Sequence, residues 1–206
     1  MPGRLKKVPF AKRVRLDEGL VEFVPIREPD VREMKRWQRY LKHSGNPNKK
    51  NAVEFASLAI QRWREARGSR ADSLADLQHF IQDNPRAEVT VFVGAKARWR
   101  KHDRLIGILL FRRTWANNVY VHYITSHPEY NPGGKWEGSG IGTAITICLT
   151  EIAKKIDAGV IWGETTQNSV RFYEKLLGTS GIKDRLYIER WKYRRLNAVL
   201  KKKLQR

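Results

Sequence analysis

A glycine turn set between a strand and a helix constrains this 206-residue chain more than any other feature. Gly138-Ser139-Gly140-Ile141-Gly142 follows Val119 to Ile124, a β-branched and aromatic run of the kind strands prefer. From Thr143 onward Ile145, Cys148, Leu149, Ile152 and Ile156 recur at helical spacing, until Asp157-Ala158-Gly159 ends the run. The first N–H groups of a helix have no partner within it, so a helix start is a ready anion site. Glycine lets such a backbone approach a phosphate closely. A pyrophosphate is the expected occupant. Many loops carry a lone G-x-G for packing alone, so the order of the neighbouring pieces carries the weight. A short buried strand, Val160 to Gly163, leads through Glu164-Thr165-Thr166-Gln167-Asn168 into a short helix, Ser169 to Leu177, which holds Phe172-Tyr173 and closes at Gly178.

In that order the pieces resemble the GNAT superfamily of N-acetyltransferases, which use acetyl-CoA. Glu137 to Gly142 matches the family's Q/R-x-x-G-x-G/A pyrophosphate motif except at its first position. Asn168-Ser169-Val170-Arg171-Phe172-Tyr173-Glu174-Lys175-Leu176-Leu177-Gly178 matches its later Asn to Phe-Tyr-x-Lys-Leu-Gly motif with one extra leucine. Ile124-Thr125-Ser126-His127-Pro128 sits where the family has an apolar strand ending in His-Pro or similar. The resemblance covers about residues 88–193 well and the N-terminal part only by order of elements. Two departures stand out. Glu137 places a negative charge beside the proposed diphosphate, with Lys135 near enough in sequence to offset it. Asn131-Pro132-Gly133-Gly134-Lys135-Trp136 reads as an inserted loop, either a plain surface loop or a flap that carries Trp136 over the cofactor.

The rest of the chain reads as α/β. Leu20 to Ile26 is a first strand, and helices follow from Pro29 to about His43, from Ala52 to about Arg67, and after the cap residue Ser73. Val89, Val91 and Val93 alternate as a strand, Leu105 to Phe111 is nearly all apolar, and Leu186, Ile188 and Trp191 mark a last strand. The expectation is a single GNAT-like domain over 1–206, a mixed, splayed sheet flanked by helices with an enlarged helical N-terminal region. Within it, 30–83 is the helical acceptor side, 88–193 the sheet and CoA site, and 1–16 and 195–206 basic, flexible arms.

Charge sets the other bound. Forty-one Lys and Arg against 21 acids leave +20. Residues 1–16 hold six basic side chains and no acid, residues 195–206 hold five and no acid, and Lys96, Arg98, Arg100, Lys101 and Arg104 surround Trp99. Such charge draws polyanions by counterion release, and it argues against a small cationic substrate. The expected partners are acetyl-CoA and an anionic macromolecule: tRNA, another nucleic acid or an acidic protein. No apolar run reaches the ~20 residues of a membrane span. The single Cys148 cannot form an internal disulfide, which fits a reducing, cytoplasmic setting. One cysteine and five scattered histidines offer no zinc-ligand spacing, so no metal is expected.

The resemblance implies direct attack of an amine on the thioester, between two splayed strands, Val119–Ser126 and Val160–Glu164. The implied cofactor-binding residues are Ile124 and Ser126 on the strand edge, then Glu137, Gly138, Ser139, Gly140, Ile141, Gly142 and Thr143 at the turn, and Asn168. Asn168 is also read as the N-cap of its helix. Tyr173 matches the tyrosine that protonates the departing thiolate in many members; packing in the core is its plain alternative. His122 and Glu164 compete as the base, and Asp30, Glu54 and Glu129 are further acids without a motif. The alternative to an N-acetyltransferase is a non-catalytic module of the same fold that binds nucleic acid or an acidic protein. Glu137 and the insertion favour the module; the glycines, Asn168 and Tyr173 favour the enzyme.

Overall fold

The computed structural model describes residues 10–11, 13–41, 45–102, 104–131, 134–135 and 140–204. The chain opens with a hairpin, Val14–Leu16 (β1) and Gly19–Pro25 (β2). Phe10, Val14 and Leu16 are buried, so the basic N-terminal stretch is docked from Phe10 on instead of hanging free. Glu28–Arg36 (α1) follows, and a 3-10 turn over Trp37–Leu41 extends it. Pro47–Glu65 (α2) starts earlier than periodicity indicates. Asn46 Oδ1 accepts the Asn48 N–H at 2.9 Å and Pro47 stands in the first turn, so the breaker sequence is itself the helix start.

Arg70–Ala71 (β3) is a two-residue strand, and Leu74–Asp83 (α3) begins where Ser73 Oγ accepts the Asp76 N–H at 3.0 Å. Next come Val89–Ala97 (β4), Leu105–Arg113 (β5) and Val119–Ser126 (β6). Ile141–Lys155 (α4), Val160–Glu164 (β7), Gln167–Leu177 (α5), Arg185–Glu189 (β8) and Arg190–Leu204 (α6) complete the described chain. The last of these replaces two expectations. Trp191 belongs to the first turn of α6 and not to a strand, and the basic C-terminal stretch is helical to Leu204. Tyr193, Leu196 and Leu200, spaced three and four apart among the basic residues, form a buried seam, and the Asn197 amide donates to Thr150 Oγ1 on α4 at 2.8 Å.

The sheet runs β1-β2-β4-β5-β6-β7-β8, with β3 alongside β4. Neighbours are antiparallel except β6–β7 and β3–β4. This is the mixed α/β sheet flanked by helices that the sequence implies. One core lies between the sheet and α4, α5 and α6; the other lies under α1 and α2, against β4 and β5. Two irregularities position the site. β6 pairs with β7 only from Val119 to Val121, opposite Ile161 to Gly163, and then continues to Ser126. Between Leu110 and Phe111 of β5 the facing residue changes from Tyr123 to Val121, so His122 is an extra residue, a β-bulge.

Candidate active site

A cleft of about 520 Å³ opens where β6 and β7 part. Ile124, Thr125 and Ser126 of β6 line it, with Gly140 to Thr143 at the start of α4. Asn168, Phe172 and Tyr173 of α5 close one side, and Asn48, Asn51 and Phe55 of α2 the other. The parting leaves main-chain groups of β6 beyond Val121 without a β7 partner, which suits an extended chain laid along that edge.

The start of α4 fits a diphosphate. Gly140 holds φ +79°, a left-handed conformation that side chains resist. The first helical bond runs from the Ala144 N–H to the Gly140 carbonyl at 2.9 Å, so the N–H groups of Ile141, Gly142 and Thr143 have no acceptor within the helix. No acid stands in that first turn. A Cβ on Gly142 would lie 3.0 Å from the Phe172 ring, so glycine keeps α4 and α5 close at the cleft. Trp136, Glu137, Gly138 and Ser139 lie outside the described residues, and the charge at Glu137 and the flap with them. Of the residues assigned to the cofactor from the sequence, Ile124, Ser126, Gly140, Ile141, Gly142, Thr143 and Asn168 line the cleft. Asn168 is not the N-cap, since α5 begins at Gln167 after Thr166, whose N–H donates to Ser169 Oγ at 2.9 Å.

Tyr173 is buried at the cleft wall, its ring edge-on to Phe172 with centroids 5.1 Å apart. Burial pushes its pKa up to about 12, so the phenol stays protonated at neutral pH. His122 and Glu164 are not among the cleft-lining residues. The His122 ring sits 4.6 Å from Tyr120 and 6.2 Å from Tyr123. Burial, then the positive charges of Arg112 and Arg62, lower its pKa to about 4, which leaves the imidazole neutral. Glu164 is exposed at the end of β7, opposite Arg185.

Two of the three remaining candidate acids have structural partners. Asp30 is buried, accepts the Arg27 N–H at 3.0 Å and pairs with Lys96. Glu129 accepts from Lys49 of α2 at 3.0 Å and from the Lys135 N–H at 3.3 Å. Burial alone would raise the Glu129 pKa; the Lys49 hydrogen bond, the Lys135 N–H and the nearby positive charge outweigh it and leave it lowered. Glu54 is exposed on α2.

Sequence reasoning missed the wall that α2 supplies. Asn48 and Asn51 precede the point where apolar periodicity starts, and Asn46-Pro47 reads as a break. The available signal is Asn followed by Pro as a helix start. Asn131, in the inserted loop, also lines the cleft: Ser126 Oγ and Asn131 Oδ1 lie 2.7 Å apart, and the Asn131 amide donates to the Ser126 carbonyl at 3.3 Å.

Comparison with known proteins bears on the fold and the family. RimJ from Mycobacterium smegmatis, solved with CoA-disulfide, matches with a TM-score of 0.50 at 13% identity, over 91% of this chain and 93% of that one. At that identity the likeness is one of fold. A putative streptothricin acetyltransferase from Bacillus anthracis, solved with acetyl coenzyme A, shows 26% identity and a TM-score of 0.33 over 42% of this chain and 46% of its own. Nourseothricin acetyltransferase shows 23% identity and a TM-score of 0.35 over 42% and 48%. The chain thus spans about half the length of either of these two. No curated protein matches the sequence significantly. The sequence profile described as the Acetyltransferase (GNAT) family matches residues 53–179, more than half of the chain and the cleft from Phe55 of α2 to α5, and this chain belongs to that family, whose acyl donor is acetyl-CoA.

Proposed function

We propose that this chain is an N-acetyltransferase whose acceptor is a primary amine carried on an anionic macromolecule, either an aminoacyl-tRNA or a protein amine within a nucleic-acid or acidic assembly. The observation that carries the reading is the cleft itself, which joins a helix N-terminus to a buried, protonated tyrosine across parted strands. Acetyl-CoA supplies an acetyl thioester, whose acyl carbon bonds to the amine nitrogen as the C–S bond breaks. The α4 amides from Ile141 to Thr143 hold the diphosphate, and the free edge of β6 holds the extended arm. Tyr173 donates its phenolic proton to the leaving sulfur. The amine must arrive uncharged, because an ammonium ion has no lone pair to attack with. His122, neutral at pH 7, and Glu164 are the groups assigned to take up its proton, through water, since neither lines the cleft.

The acceptor class rests on the net charge of +20. Part of this charge is matched within the fold: Lys96 pairs with Asp30, Arg98 with Glu22 at 2.9 Å, and on α6 Arg190 and Arg194 share Asp157 at 3.1 Å.

The test is CoA release from acetyl-CoA with aminoacyl-tRNA, a lysine-rich protein or free amines as acceptors. Tyr173→Phe is expected to leave CoA affinity within about twofold and lower turnover by about 10²-fold or more, the range of a general acid. Turnover equal to the parent moves the acid role to water. CoA binding without transfer to any of these amines hands the case to the non-catalytic module.

A further inference from the structure

Among the described residues, β7 and β8 are covered on one face only. Ile161, Gly163, Leu186 and Ile188 are buried toward α4 and α6, while Trp162, Glu164, Arg185, Tyr187 and Glu189 point the other way, where α1 and α2 do not reach. On that open face the register sets three aromatic rings in one row. Tyr120 of β6 faces Trp162 of β7, and Trp162 faces Tyr187 of β8. The Tyr120 and Trp162 centroids are 4.4 Å apart, and Tyr187 is 60% exposed. The row crosses the sheet one residue short of Val121 and Gly163, the last pair before β6 and β7 part to form the cleft.

Tyr120 and Trp162 are half-buried against each other, and Tyr187 at the end of the row leaves most of its ring in water. Both signs of charge stand around them, on a chain that is strongly basic overall. Arg112 continues the row on β5, opposite Tyr120, and Arg62 of α2 reaches both Tyr120 and His122 electrostatically. Glu88 pairs with Arg112 at 3.1 Å, Glu164 stands in register with Arg185 and acts on Tyr120, and Glu189 accepts from the Trp191 ring N–H, on a chain that carries +20 as a whole.

We propose that the row Tyr120–Trp162–Tyr187 is a stacking platform for the bases of an unpaired RNA strand, with the flanking arginines on its phosphates. The inference rests on the acceptor reading above and sharpens it, since a strand stacked here ends beside the parting of β6 and β7. Stacking accepts any base, because each has a π-face, while a duplex hides its bases from such a surface.

The experiment measures fluorescence anisotropy of a short labelled single-stranded RNA and of its duplex, titrated with the full chain at several salt concentrations. The parent is expected to bind the single strand more tightly. Tyr187→Ala should lower single-strand affinity by at least about fivefold, the lower end of one base–aromatic stack. Tyr187→Phe should keep that affinity, duplex binding should not change, and the salt slope should stay the same because no phosphate contact is lost. Equal binding of both RNAs, unmoved by Tyr187→Ala, overturns the platform and leaves the acceptor reading intact. No binding of either RNA removes the nucleic-acid acceptor and the platform together. A fall from dimer to monomer on sedimentation of Tyr187→Ala, with RNA affinity unchanged, assigns the face to a second copy of the chain and overturns the proposal.

Discussion

The two halves of the sheet are built by different rules. In β4 and β5 nearly every residue is buried, with α1 and α2 on one face and α4 on the other. In β8 burial alternates strictly, and β7 follows the same pattern. The first half is an interior wall; the second is a shelf with one wet face. The cleft lies along the seam between them, where the bulge at His122 and the short β6–β7 pairing let the strands separate. A strand held by core on both sides cannot splay without opening cavities, whereas a strand packed on one side can turn away cheaply. The difference teaches where a cleft can form in a continuous sheet.

The contrast can be tested from its strong end. Phe111, fully buried in the wall, should lose about 3–5 kcal/mol of unfolding free energy when changed to alanine, read by denaturant titration. A cost below about 1 kcal/mol would show the wall to be loosely packed. Gly163→Ala probes the seam. Its Cβ would meet the Val121 carbonyl at 2.6 Å and the Val121 Cβ at 3.1 Å, so β6 and β7 must be pushed apart. About 1–3 kcal/mol of destabilisation is expected, with weakened CoA binding by calorimetry. Unchanged affinity would show that strand separation does not shape the site.

The third effect depends on pH. His122 has an ordinary pKa of 6.5 and a folded value of about 4. Between those values the unfolded chain binds a proton that the folded chain refuses, so stability falls as pH drops from 6.5 toward 4 and is unaffected by this group above 6.5. In His122→Gln the fall in unfolding midpoint over that window should be shallower; identical profiles would detach the imidazole from the fold. The smallest effect belongs to the shelf. Tyr187→Ala should change stability by no more than about 0.5 kcal/mol, since the ring is mostly in water. A larger loss would mean that the open face is a packed one.

Most of what the sequence determined is local. The glycine turn, the helix after it, the Ser73 cap and the Gly178 stop are decided by backbone conformation and by hydrogen bonds within a few residues. The continuous apolar run of β5 was equally legible, because burial on both faces writes such a run into the chain, whereas for β8 Leu186 and Ile188 gave the strand and Trp191, read into it, belongs to α6. Local order also brought Ile124, Ser126, Asn168 and Tyr173 together at the cleft. Tertiary structure decided the rest. Asn48, Asn51 and Phe55 enter the site because the Lys49–Glu129 pair, 80 residues apart in sequence, ties the start of α2 to the turn after β6. The basic C-terminal stretch becomes α6 because Tyr193, Leu196 and Leu200 meet a surface that exists only once α4 has packed on the sheet. His122 stands away from the cleft because it falls on the bulge, and a bulge is a property of two strands in register. Distant segments choose their partners after each has formed, so no single window of sequence records the choice.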